Sequence, residues 1–135
     1  MTVIVCVDDR LGVAFNKRRQ SRDRVVVEDI LKSAQGGRLV ISPYSKMIFA
    51  DDAPLTVSDN PLDEATENDF VFIEDRAISG YEKRLSGMII YRWNKLYPSD
   101  RALDVLPTDA GLRLKESAEF KGYSHEKITK EIYLK

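Results

Sequence analysis

The chain is poor in the residues that usually announce chemistry. It has one cysteine and one histidine in 135 residues, and 21 Lys and Arg against 22 Asp and Glu leave a net charge of −1. A single Cys6 excludes an internal disulfide framework. Its place inside the apolar run Val3–Val7 suits a buried reduced thiol. One histidine excludes a His-rich metal cluster. With no charge excess, bulk electrostatics draw the chain to neither nucleic acid nor membrane, so any anion site must be local. No apolar stretch approaches the ~20 residues of a membrane helix. No basic region followed by an apolar core opens the sequence, so the expected location is the cytoplasm. Zinc spacings, a phosphate-cradling glycine loop, a Gly-x-Ser-x-Gly elbow and a calcium loop are all missing.

What is present reads as one folded domain over residues 1–135, with 43% hydrophobic residues and no linker or repeat. Residues 2–7 form an apolar strand with little alternation, as expected of a strand covered on both faces. Residues 8–22 read as a long polar connection. Val27, Ile30, Leu31 and Ala34 then recur at helical spacing. Ser21 or Asp23 can cap that helix, and Gly36-Gly37 can stop it. Residues 38–41, 55–57, 70–73 and 88–93 read as strands, and 112–114 with 128–133 as a terminal antiparallel pair. Ser42-Pro43 has the pattern of a helix start, giving a short helix over 43–49. Further short helices are expected in 61–67 and around 78–85. Strands alternating with helices, then strands alone, give an α/β fold with a mixed sheet and flanking helices.

Several strings resemble the dihydrofolate reductase family. They are Val7-Asp8-Asp9-Arg10-Leu11-Gly12-Val13-Ala14-Phe15-Asn16, Arg38–Ser42, Phe70–Ile73, Met88–Asn94 with Asp100, and Ser124–Lys135. The resemblance implies a shortened, single-domain reductase-like scaffold. In that family a Pro-Trp pair precedes a carboxylate that holds the pterin ring. Here the stretch reads Lys17-Arg18-Arg19-Gln20-Ser21-Arg22-Asp23, and only Asp23, or less plausibly Glu28, could supply the acid. Arg22 and Arg24 are expected to hold Asp23 ionised, the reverse of a proton donor. The family's paired glycines beside the cofactor phosphates are replaced by Glu74 and Asp75, which would repel a pyrophosphate. No cofactor is therefore expected, and NADPH-dependent folate reduction is disfavoured.

A second likeness is to short bacterial proteins carried under a ribonuclease Z name, through strings such as Arg18-Arg19-Gln20-Ser21, Tyr91-Arg92-Trp93-Asn94 and Ser124–Glu131. That enzyme's di-zinc chemistry needs several His and Asp ligands, and no metal site is expected here.

Three features remain as candidates. Lys17, Arg18, Arg19, Arg22 and Arg24, with Gln20 and Ser21 among them, can surround a phosphate or carboxylate; otherwise they are a solvated run paired with the acidic 59–69 region. In Tyr91-Arg92-Trp93-Asn94, Tyr91 and Trp93 share one strand face and Arg92 and Asn94 the other. By the resemblance Tyr91 stands where a residue lines the pocket, and an aromatic there can stack on a planar ligand; otherwise Tyr91 and Trp93 are core. His125 cannot form a relay with its neighbours Ser124 and Glu126, which point to the opposite face of a strand, so it reads as a surface or structural histidine. Ser42 and Ser45 read as capping residues. The expected function is a non-catalytic module for an anionic ligand, a nucleotide or RNA phosphate. Its binding set is Arg18, Arg19, Gln20, Ser21, Arg22, Tyr91 and Arg92. The rivals are an enzyme, either a diverged reductase or an RNA-processing hydrolase, and a protein–protein adaptor.

Overall fold

In the computed structural model, which describes residues 1–135, the opening apolar run becomes the middle of a seven-stranded sheet. The strands are β1 (Thr2–Val7), β2 (Gly12–Phe15), β3 (Arg18–Arg19), β4 (Leu39–Ile41), β5 (Leu55–Val57), β6 (Phe70–Phe72), β7 (Gly87–Arg92), β8 (Arg101–Ala102), β9 (Arg113–Phe120) and β10 (Ile128–Leu134). The main sheet runs β5-β4-β6-β1-β7-β10-β9. Its first five strands are parallel, and β10 and β9 are antiparallel additions. The α/β mixed-sheet reading therefore holds.

Side-chain alternation divides the core between the two sheet faces. Val3, Val5 and Val7 pack with Met88, Ile90 and Val71 on one face. Ile4 packs with Ile89, Tyr91, Trp93 and helix α1 (Arg24–Ser33) on the other. Burial on both faces explains why β1 shows no polar alternation. The expected helix face is rotated slightly: Val26, Ile30 and Ala34 are the fully buried residues, while Val27 and Leu31 are only partly covered. That rotation turns Val27 and Leu31 toward a surface cleft.

Other expectations need correction at their edges. The polar stretch 8–22 is not all loop, because β2 pairs with β3 and β8 in a second, three-stranded sheet. The 43–49 helix is a 3₁₀ segment, Pro43–Ile48, and the Ser42 side chain does not cap it. The 61–67 helix shrinks to α2 (Pro61–Glu64), and that around 78–85 to a 3₁₀ turn, Glu82–Arg84. The strand at 112–114 extends to Phe120, since β10 offers it a full-length partner. No helix is long and apolar enough to cross a membrane.

All five parallel strands end at the same edge of the sheet, where ligand crevices of open parallel sheets lie. Asp8, Ser42, Glu74 and Trp93 follow β1, β4, β6 and β7 there. The loop 121–127 joining β9 to β10 folds back onto the start of α1.

Candidate functional site

Asp23 is the N-cap of α1, in extended conformation, as one of the two residues expected there. Its Oδ1 accepts from the backbone N–H of Val25 and of Tyr123, both at 2.9 Å. Its Oδ2 accepts from the Ser124 N–H at 2.8 Å, the Ser124 hydroxyl at 3.1 Å and His125 Nδ1 at 2.9 Å. Burial by itself raises this carboxyl's pKa. The hydrogen bonds from His125, Tyr123, Ser124 and Val25 outweigh it and hold the group well below the usual carboxylate range. Asp23 is thus ionised as expected, but by those donors; neither Arg22 nor Arg24 pairs with it.

His125 is likewise neither on the surface nor without partners: its side chain is 4% exposed. A carboxylate can only accept, so Nδ1 carries the hydrogen toward Asp23. Nε2 faces the Ser21 hydroxyl at 3.0 Å and the Tyr97 hydroxyl at 3.2 Å. Trp93 stacks on the imidazole at 4.6 Å between centroids and 25° between planes. Gly122 passes so close that a Cβ there would lie 2.6 Å from Asp23 Oδ2.

Beside this network a cleft of about 640 Å³ opens between α1, the strand-connecting loop and the segment after the 3₁₀ turn. Val27, Leu31, Ile48 and Ala50 form its apolar floor, and Arg22, Asp23, Arg24, Glu28, Tyr123 and Ser124 line its polar parts. Arg24 lies over the Tyr123 ring at 4.5 Å. Both arginines are exposed and neither forms an ion pair.

The other side of the basic loop is different. Arg19 makes a two-pronged ion pair with Glu74, at 2.9 and 3.1 Å, and lies over Tyr44. Glu74 also accepts from Ser45 Oγ at 2.8 Å, and Asp75 from Ser42 Oγ and Arg76. Those serines bind carboxylates instead of capping a helix. Glu74 is therefore a neutralised, half of a closed ion pair, not a free repelling charge. The acidic 59–69 region does not receive the loop's arginines: Asp69 and Glu64 pair with Arg38. Gln20 donates to Asp8 at 2.9 Å and to the Pro98 carbonyl at 3.2 Å. Arg18 is exposed and lines the smaller pockets of 420 and 310 Å³.

The seven residues expected to bind ligand do not meet at one place. Tyr91 is fully buried under α1, with its hydroxyl 2.5 Å from Asp29, which Lys130 also engages at 2.7 Å. Burial and the Asp29 hydrogen bond push the Tyr91 phenol far above its ordinary pKa. Arg92, on the opposite face of β7, pairs with Glu131 at 2.7 Å. Both belong to the frame of the sheet. Arg22 reaches the large cleft, Ser21 touches His125, and Arg19 is tied to Glu74. Sequence reasoning counted Arg24 in the basic loop but left it out of the binding set, and it missed Tyr123 as a cleft residue and Trp93 and Tyr97 as the walls of the histidine. His125 with Ser124 beside it was visible, but its partner Asp23 lies 102 positions away.

No family model and no curated protein matches the sequence. Among solved structures, the chain is similar to dihydrofolate reductase from Enterococcus faecalis complexed with NADP(H) and RAB-propyl. The likeness has a TM-score of 0.70 at 7% identity, over 98% of this chain and 94% of that one. The ribonuclease Z likeness gains no such support. Strand order, the placement of α1 and this match agree: the chain has a dihydrofolate reductase-like fold.

Proposed function

We propose that this chain is a binding domain for a small anionic ligand of nucleotide size, on a reductase-type scaffold whose expected pterin acid, Asp23, is taken up by its own hydrogen bonds. The observation that carries this reading is the pair of guanidiniums, Arg22 and Arg24, neither of them ion-paired, at a cleft of about 640 Å³ with an apolar floor. Of the two carboxylates in its lining, Asp23 and Glu28, the first is occupied by those donors. That volume suits a small molecule. Val27, Leu31 and Ile48 offer an apolar bed for a planar ring, and Tyr123 an aromatic face. The similar solved structure holds a nucleotide, NADP(H), by its own description.

Folate reduction is disfavoured on the same geometry. The lone pairs of Asp23 that would grip a pterin already accept from five donors. The expected binding set narrows accordingly: Arg22 stays, Arg24 and Tyr123 join, and Arg18 guards the neighbouring pockets. The test is calorimetry with mono- and dinucleotides, folates and short RNA, at low and high salt. A nucleotide should bind with salt-sensitive affinity. Arg22→Ala with Arg24→Ala should weaken it about tenfold or more, since a charge-assisted hydrogen bond contributes roughly 1.5–3 kcal/mol. Unchanged affinity in that variant would sink the reading, and tight folate binding would restore the reductase.

A further inference from the structure

We propose that Ser21, His125 and Asp23 form a nucleophilic triad that takes the acyl group of small carboxylic esters. The connectivity is continuous: Asp23 Oδ2 to His125 Nδ1 is 2.9 Å, and His125 Nε2 to Ser21 Oγ is 3.0 Å. In the extended segment before α1, residues two apart share a face. Ser21 and Asp23 therefore reach the two nitrogens of one ring. The Asp23 carboxylate fixes the hydrogen on Nδ1, which leaves Nε2 to receive the serine proton. Trp93 fixes the ring plane.

Fastening the loop does not require this second contact. Asp23 already holds the loop through Tyr123 N–H, Ser124 N–H and Ser124 Oγ. Nε2 points instead at two hydroxyls, on Ser21 and Tyr97, that belong to partly exposed residues. A pocket of 420 Å³ is lined by Tyr97, by Gln20, the chain neighbour of Ser21, and by the apolar Phe15 and Pro98, though not by Ser21 or His125 themselves. One donor stands next to Ser21 in the chain for a developing oxyanion: the Arg22 backbone N–H, which makes no hydrogen bond within the protein.

In the reaction, Ser21 Oγ bonds to the ester carbonyl carbon as its proton passes to His125 Nε2. The C–O bond to the alcohol breaks, and the alcohol leaves with that proton. Water, deprotonated by the same nitrogen, then releases the carboxylic acid and restores the serine. Ser21 and His125 are the catalytic residues, and Asp23 is a positioning residue. Ser21 and His125 do not line the nucleotide cleft, although Asp23 and Arg22 do.

The test is incubation of the purified chain with a fluorophosphonate, followed by mass spectrometry, alongside turnover of p-nitrophenyl acetate. The expected result is one adduct, with loss of fluoride, mapped to Ser21. Both readouts should vanish in Ser21→Ala and fall at least about a hundredfold in His125→Gln, the scale of general-base catalysis. Asp23→Asn should slow labelling on the same scale with the ellipticity retained. No adduct, an adduct on another serine, or turnover unchanged in Ser21→Ala overturns the proposal. A second measurement covers variants that fold poorly. The Ser21→Cys thiol should be alkylated by iodoacetamide faster with His125 present than in the double variant with His125→Gln. Equal rates overturn the proposal as well.

Discussion

Asp23 collects donors from α1 and from the 121–127 loop, so neutralising it strands several buried N–H groups at once. Removing one partner of a buried, hydrogen-bonded pair costs about 3–5 kcal/mol. Asp23→Ala should lose stability on that scale in urea unfolding, whereas exposed Arg18→Ala should stay within about 0.5 kcal/mol. A loss under ~1 kcal/mol for Asp23→Ala would mean the loop is held elsewhere. At this scale the sequence was half legible. A carboxylate at a helix start is a local signal, and Asp23 was found by it. Its bond to His125 is not local, because nothing in the residues around Ser124 points to the start of α1.

At the scale of elements, the β9–β10 connection acts as a strap over the N-terminus of α1. Gly122 lets it lie flat on the Asp23 carboxylate, where a Cβ would approach to 2.6 Å. Gly122→Val should push the strap away, destabilise the fold by roughly 1–3 kcal/mol as overpacking does, and open the cleft. Thermal melting together with nucleotide affinity checks this, and wild-type values for both would refute it. Elements with strong periodicity were readable: β1, β6, β7 and α1 stand close to where the apolar pattern puts them. The short ones were not, because a two-residue strand such as β3 is defined by the partner it meets at Ala14 and Phe15. The same limit explains Tyr91: its strand was legible, but whether its hydroxyl faces ligand or Asp29 depends on which helix covers it.

For the whole molecule, four carboxylates share one behaviour. Asp8, Asp23, Asp29 and Asp69 all have pKa values lowered in the folded state, by hydrogen bonds or partner charges that outweigh any opposing burial. A depressed folded pKa contributes stability above the unfolded value, about 3.9 for Asp. That stability is lost as the pH falls toward the folded values. Melting temperature should hold from neutrality down to about pH 4 and then drop steeply. A flat profile to pH 2.5 would show that these networks do not stabilise the fold. The overall architecture was the most legible level, since five parallel strands followed by two antiparallel ones is written in segment order. Local strings carried the reductase likeness even at 7% identity to the similar solved structure. The site was least legible because its chemistry is assembled from segments 21–28, 93–98 and 121–125, which only the closed fold brings together.

During synthesis, α1 emerges long before the segment that caps it. Asp23 and His125 are 102 residues apart, and contacts of such separation form late because chain closure precedes them. Until β10 arrives, β7 presents an open sheet edge, the kind of surface on which chains aggregate. The nascent chain therefore passes through a stage with most of its parallel sheet and neither its strap nor its cleft. A ligand of the cleft can stabilise only the finished molecule, so it would act as a check on completed folding and not as an aid to its start.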